Sequence, residues 1–116
     1  MKLIKLSKVE KKECEVLQNA VVQFMNSRNK KLRELATTNP NEFLNNLLLF
    51  DNAKRLFYFF RGKTESLKKE FTLSFNVGEA IVMMQICDEF AFFFDDYHSH
   101  TLRKTKEIMF QQIINL

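Results

Sequence analysis

The segment ATTNPNEF, residues 36–43, interrupts one long helical pattern and starts another, and it decides how the chain folds. Asn39 is suited to accept a hydrogen bond as an N-cap, and Pro40 is tolerated at the first position of a helix. Glu42 falls in the first turn, where a carboxylate interacts favourably with the helix dipole. A helix is therefore predicted to begin at Pro40, and the preceding helix must end before Asn39.

The residues before this segment predict one long helix from about Lys8 to Ala36. In SKVE, Ser7 is placed as an N-cap with Glu10 three residues later, which is the spacing of a capping box. Residues 2–6, KLIKL, alternate imperfectly between polar and apolar side chains and predict a short strand. The apolar positions of the long helix recur at helical spacing and include Val9, Val16, Leu17, Ala20, Val21, Phe24, Leu32 and Leu35.

The helix that begins at Pro40 is predicted to end at Gly62, because glycine readily adopts the left-handed conformation that terminates helices. Arg61 and Lys63 flank that end, where positive charge favours the helix dipole. The apolar positions of this second helix are Phe43, Leu44, Leu47, Leu48, Phe57, Phe59 and Phe60.

The segment FTLSFN, residues 71–76, alternates apolar and polar side chains and predicts a half-buried strand. A lone strand leaves backbone groups without partners, so this strand must pair with another one. Residues 2–6 of the same chain and the same segment of a second chain both remain open as partners.

The residues NVGE carry a further helix start. Asn76 as the cap and Glu79 three residues later form a capping-box signature, which predicts a helix from Val77 to about Tyr97. A break near residues 98–101 then precedes a last, shorter helix.

The composition favours a mainly α-helical fold. Only 2 Gly and 1 Pro occur in 116 residues, which disfavours turn-rich β architectures. Apolar residues amount to 46%, and a chain of this length can bury a core without metals or disulfides. We expect a single helical domain over residues 1–116, with about four helices and one or two short strands around residues 2–6 and 71–76.

Neither a signal peptide nor a membrane span is predicted. Lys5 and Lys8 interrupt the apolar residues at the N terminus, and the longest uncharged stretches, such as residues 80–87, are far shorter than the roughly 20 residues that a bilayer requires. Cys14 and Cys87 have no metal-binding or redox spacing, so we interpret them as apolar fillers of a reduced interior. These features predict a cytoplasmic protein without membrane contact.

The segment FAFFFDDYHSH, residues 90–100, contains two carboxylates and two imidazoles that could serve metal binding or acid–base catalysis. If one helix continued through it, Glu89, Asp96 and His100 would share a face, since steps of seven and four residues return to nearly the same angle. No HExxH motif or pair of Glu-x-x-His motifs accompanies them, so the pattern favours the solvated end of a buried helix, without a cofactor. The third hypothesis for function is a metal-dependent enzyme acting through Asp95, Asp96, His98 and His100.

Phenylalanine is concentrated in LFYFF, residues 56–60, and FAFFF, residues 90–94. Four Phe in five residues point in every direction around a helix axis, so either this domain wraps the helix completely or another protein covers the remainder. The leading hypothesis is a non-enzymatic protein-interaction module, binding or regulatory, that self-associates as a homodimer through this Phe-rich helix or binds another protein partner, while a role as ordinary core remains open. The predicted interface residues are Phe90, Phe92, Phe93, Phe94, Phe71 and Phe75.

Charge is unevenly distributed along the chain. Residues 1–38 contain nine Lys or Arg and four Glu, whereas residues 64–100 contain two Lys and seven Asp or Glu. The basic segment SRNKKLR could neutralise phosphates, and nucleic-acid binding is therefore the second hypothesis. Positive charge near a helix C terminus also favours the dipole without any nucleic acid. The residues of this basic patch are Arg28, Lys30, Lys31 and Arg33.

Overall fold

Six elements follow one another in the parts of the chain that the computed structural model describes, residues 3–91 and 96–116. These residues form four helices and one two-stranded antiparallel sheet, which confirms the prediction of a mainly α fold with about four helices and one or two short strands. The elements are β1 (Ile4–Glu10), α1 (Lys11–Thr38), α2 (Pro40–Thr64), β2 (Glu70–Phe75), α3 (Val77–Phe90) and α4 (Asp96–Ile114).

The two longest helices form a hairpin around the segment that separates them. The Asn39 side chain accepts a hydrogen bond from the backbone N–H of Glu42 at 3.3 Å, and Pro40 occupies the first turn of α2, as predicted. The last fully buried residue of α1 is Phe24 and the first of α2 is Ala53. The part of the hairpin between them, residues 25–52, contains no fully buried residue and is called the hairpin tip below.

The predicted start of α1 at Lys8, with Ser7 as its cap, is wrong. The chain remains a strand up to Glu10, and the capping box is formed by Glu10 and Glu13, whose carboxylate accepts the Glu10 N–H at 3.1 Å. The strand extends this far because Val9 pairs with β2 and is buried there, which outweighs the local capping signal at Ser7.

Within this chain, β2 pairs with the N-terminal strand. Strand β1 pairs with β2 in antiparallel register, with Ile4 opposite Phe75 and Leu6 opposite Leu73. An irregularity between Leu6 and Val9 includes Lys8, which has a positive φ of 53°. The apolar side chains of both strands are buried in one core with the helices, and the Phe75 ring lies 5.1 Å from the Phe59 ring of α2.

The predicted end of α2 at Gly62 is also wrong. No glycine among the described residues has a positive φ, and α2 continues to Thr64. The Thr64 hydroxyl donates a hydrogen bond to the Gln18 side chain of α1 at 2.9 Å. This contact between the two helices stabilises a further half turn that the local sequence does not require.

The helix predicted from Val77 to Tyr97 is shorter than expected. Its start is confirmed, because Asn76 and Glu79 form the predicted capping box at 2.8 and 2.9 Å. It ends at Phe90, however, and α4 begins at Asp96, so the break expected near residues 98–101 is placed too late. The physical reason is packing, since α4 buries Leu102 in the common core within two turns of its start.

None of the helices in residues 3–91 and 96–116 combines the length and the apolar character that crossing a bilayer would need.

Candidate functional site

Three leucines of α2 are exposed on the hairpin tip. Leu44 is 60% exposed, Leu47 43% and Leu48 63%, although each is large and apolar. Leu47 and Leu48 follow Leu44 by three and four residues, so the three side chains lie on one side of α2 over about one turn. We call these three residues the leucine face.

The leucine face points away from the core because of simple helix geometry. Ala53 and Leu56 are fully buried, and they lie nine residues after Leu44 and Leu47 respectively. Nine residues correspond to two and a half turns at about 3.6 residues per turn, which places the two pairs on opposite sides of the helix. The hairpin tip therefore buries one side of α2 against α1 and leaves a second apolar side uncovered.

Charged residues limit the leucine face toward the body of the protein. Asp51 and Arg55 continue the same side of α2 and form an ion pair at 3.3 Å between carboxylate and guanidinium. Both side chains are more than half exposed, so the pair contributes at most about 1 kcal/mol to stability. Its effect on the surface is to end the apolar patch after Leu48.

The predicted phenylalanine interface is only partly accessible. Phe71 and Phe75 are buried by the helices of the same chain, and they have little surface left to offer a partner. Phe90 is half-buried against the core. Phe92, Phe93 and Phe94 lie outside the described residues. The interface through these residues stays a prediction.

The other Phe-rich segment, residues 56–60, belongs mainly to the core. Leu56 and Phe60 are fully buried, and Phe57 and Phe59 pack partly buried against them. Tyr58 is the exposed member of this segment. Its high density of rings is thus explained by core packing, in which the Phe60 ring contacts the Phe59 ring and the Phe75 ring of β2.

The basic patch does not form a single charged face. Arg28 is committed to the fold, since its guanidinium bonds to Glu89 of α3 at 3.1 Å and lies 4.8 Å from the Phe24 ring centroid. Lys30, Lys31 and Arg33 are exposed, but spacings of one and two residues distribute them around the helix axis. Binding of nucleic acid through this patch stays a prediction, and the fold leaves it three exposed cations instead of four.

The histidine and carboxylate cluster is dispersed over two elements. Asp96, His98 and His100 belong to the first turns of α4, whereas Glu89 belongs to α3, so no continuous helix aligns them. Asp95 lies outside the described residues. In residues 3–91 and 96–116, no group of three potential metal ligands is close enough to hold an ion.

Both cysteines are buried in the reduced form. Burial raises the pKa of the Cys14 thiol to about 11 and that of the Cys87 thiol to about 12. At neutral pH both remain protonated, and the protonated thiol is a poor nucleophile. Their environment matches the interpretation of these residues as apolar fillers.

A groove of about 440 Å³ lies between α3 and α4. Cys87, Ala91 and Phe110 contribute apolar wall, and Asp88 and Lys106 form an ion pair at 2.6 Å in the same wall. The groove extends to Ala91, the last described residue before segment 92–95. We assign no function to it.

The sequence matches no protein-family model, and neither a curated protein nor a solved structure is significantly similar to it.

The sequence contained a signal for the leucine face that our reading of α2 passed over. The stretch FLNNLLLF, residues 43–50, has six apolar residues in eight. Such a density cannot fit on one side of a helix, which is the same physical argument that holds for residues 56–60 and 90–94. The sequence alone does not show where α2 contacts the core, and that contact determines which apolar side of the helix remains exposed.

Proposed function

We propose that this chain is a non-enzymatic protein-interaction module whose docking surface is the leucine face of the hairpin tip. The observation that supports the proposal is the exposure of Leu44, Leu47 and Leu48 on the side of α2 opposite the core. Burying a leucine fully is worth about 1.5–3 kcal/mol, so covering three partly exposed leucines would provide a substantial part of a binding free energy.

The occupant we propose is an amphipathic helix of a different protein. Leucines at steps of three and four residues form a ridge, and a ridge packs into the groove between side chains of another helix. The two-helix hairpin supports this contact, since α1 packs against α2. A third helix laid on α2 would complete a layered helical assembly.

The remaining chemistry of the described residues is in line with binding rather than catalysis. The thiols of Cys14 and Cys87 are protonated at neutral pH, and no group of three potential metal ligands lies together in residues 3–91 and 96–116. We place the module in the cytoplasm, in accordance with its two reduced, buried cysteines.

Site-specific photo-crosslinking in cells that produce the protein tests the proposal. A photo-reactive amino acid replaces Leu47, and the matched control carries it at Asn45, an exposed residue of the same helix turn that points to another side. We expect an adduct at position 47 but not at 45, and mass spectrometry should identify a crosslinked peptide with apolar residues at helical spacing. The double substitution Leu44→Lys and Leu48→Lys should abolish the adduct without changing the melting temperature.

Two outcomes would contradict the proposal. Equal crosslinking at positions 45 and 47 would mean that the leucine face is not a specific surface. An adduct between two copies of this chain at position 47 would mean that the occupant is not a different protein.

A further inference from the structure

The outer edge of strand β1 is closed by a side chain of α4. The Gln112 side chain accepts a hydrogen bond from the backbone N–H of Lys5 at 2.8 Å and donates one to the Lys5 carbonyl at 2.5 Å. One side-chain amide thereby makes the two bonds that a residue of a neighbouring strand would make. β1 is further protected by Lys5, Lys8 and the irregular register at Lys8, which are features that block additional pairing.

These bonds also fix the direction of the backbone groups of β2. Lys5 directs its N–H and carbonyl away from β2, so Lys5 and the opposite residue, Ser74, form a non-hydrogen-bonded pair. In such a pair both residues direct their backbone groups outward. The N–H and carbonyl of Ser74 therefore lie on the free edge of β2, and those of Thr72, two residues earlier, lie there as well.

The free edge of β2 lacks the protection that β1 has. Thr72 and Ser74 are exposed and uncharged, and neither proline nor an irregularity interrupts the strand between Phe71 and Phe75. Among residues 3–91 and 96–116, no side chain and no backbone group outside the sheet bonds to the backbone of Thr72 or Ser74. An unprotected edge is a template for a further strand.

We infer that two copies of this chain pair along β2 to form a homodimer with a continuous four-stranded antiparallel sheet. A twofold axis at Leu73 places Thr72 opposite Ser74 of the second copy, and each such pair exchanges two backbone hydrogen bonds. Both buried faces then lie on the same side of the sheet. This inference goes beyond the proposed function and places self-association on the strand rather than on residues 90–94.

The sequence of β2 suits this antiparallel register. Thr72 and Ser74 face each other as small hydroxyl side chains, a favourable cross-strand combination. Glu70 falls opposite Asn76, so no like charges meet.

Light scattering on a pair of proline variants tests the inference. Ser74→Pro removes an N–H that points off the sheet, and proline is tolerated on an edge strand in that orientation. Lys5→Pro is the control at the directly opposite residue of the other edge: it also removes an outward N–H, with loss of the hydrogen bond to Gln112, but leaves the free edge of β2 unchanged. We expect the parent and Lys5→Pro to have twice the chain mass of 13.8 kDa, and Ser74→Pro to have the chain mass itself.

Cysteine crosslinking tests the register and does not depend on how proline affects folding. Mixing Thr72→Cys with Ser74→Cys should give a disulfide-linked dimer under mild oxidation, because residues of a hydrogen-bonded pair lie about 5.5 Å apart at Cα, within disulfide range. Each variant alone should give several-fold less, since identical positions are then diagonal. The native cysteines are buried and do not interfere.

A parent protein with the mass of one chain at high concentration, or a mixture that crosslinks no better than either variant alone, would overturn the inference. The variant with Leu44→Lys and Leu48→Lys should retain the dimer mass. If it dissociates while Ser74→Pro does not, the copies meet through the leucine face, and both the inference and the proposed heterologous partner are wrong. If photo-crosslinking at position 47 fails while Ser74→Pro dissociates, only the proposed function is lost.

Discussion

The contact between Arg28 and Glu89 joins the base of the hairpin tip to α3, and its strength can be worked out from the structure. The guanidinium and carboxylate are 3.1 Å apart, with side chains 20% and 33% exposed, and the guanidinium also packs over the Phe24 ring. Fully exposed ion pairs contribute about 0.2–1 kcal/mol, whereas hydrogen bonds to charged groups contribute about 1.5–3 kcal/mol. The partial exposure places this pair between the two ranges, at about 1 kcal/mol of coupling.

A double-mutant cycle with Arg28→Met and Glu89→Gln measures that coupling. Met retains most of the apolar contact of Arg28 and removes the buried Nε, which has no hydrogen-bond partner among the described residues. Removing this unpaired polar atom should offset part of the stability that is lost with the ion pair. Urea denaturation followed by circular dichroism should give a coupling free energy of about 1 kcal/mol, equivalent to about 4 °C in melting temperature. Arg33→Met, at an exposed arginine of the same helix, should change stability by less than about 0.5 kcal/mol.

Salt provides the decisive control for the Arg28–Glu89 cycle. Partly buried pairs are screened less than exposed ones, so high salt should reduce the coupling without removing it. Additivity of the two single changes within about 0.3–0.5 kcal/mol would refute the reasoning, because it would mean that the pair contributes nothing beyond its separate residues.

Three further predictions concern the core, the left-handed residue Lys8 and the cysteines. Phe60→Ala should lower the free energy of unfolding by about 3–5 kcal/mol in urea titrations, because the ring is fully buried, whereas Phe110→Ala at an exposed site should cost less than about 1 kcal/mol; similar losses at both positions would contradict the described core. Lys8→Gly should raise the melting temperature, because the positive φ of Lys8 costs about 1–2 kcal/mol in residues other than glycine. The opposing cost of glycine, its greater entropy in the unfolded state, is only about 0.5–1 kcal/mol. An unchanged or lower melting temperature would argue against the left-handed conformation at Lys8. Cys14 and Cys87 should react slowly with a thiol reagent in the native protein at pH 8 and rapidly in urea. Because their pKa values are raised above the ordinary 9.0, their contribution to stability is complete below about pH 9 and is lost as the pH rises toward 11–12. A variant with alanine at both positions should therefore lose less stability over that pH range.

Local signals in the sequence were reliable where the surrounding chain did not oppose them. Asn39 and Pro40 start α2 as predicted, and Asn76 with Glu79 starts α3, because a cap satisfies backbone groups of its own turn and needs no distant partner. The alternation of Phe71, Leu73 and Phe75 likewise located β2 to within one residue.

Signals failed where a distant contact competed with a local preference. Ser7 does not cap α1, because β1 continues along β2 beyond it. Gly62 does not end α2, because Thr64 bonds to Gln18 of α1. The break placed at residues 98–101 was late for the same kind of reason, since α4 packs into the core from its second turn.

The sequence by itself determined the mainly helical class, the starts of α2 and α3, the β2 strand and the excess of apolar residues over what one side of each helix can hold. The tertiary structure alone decided which of those apolar residues remain exposed. Leu44 and Leu48 are exposed while Phe71 and Phe75 are buried, although all four are large and apolar. Periodicity gives the angle between side chains on one element, but contacts between elements that are distant in sequence set the direction of the core. Examples are the pairing of Lys5 opposite Ser74 and the bonds from Gln112 to Lys5, which close the edge of β1 and leave the edge of β2 free.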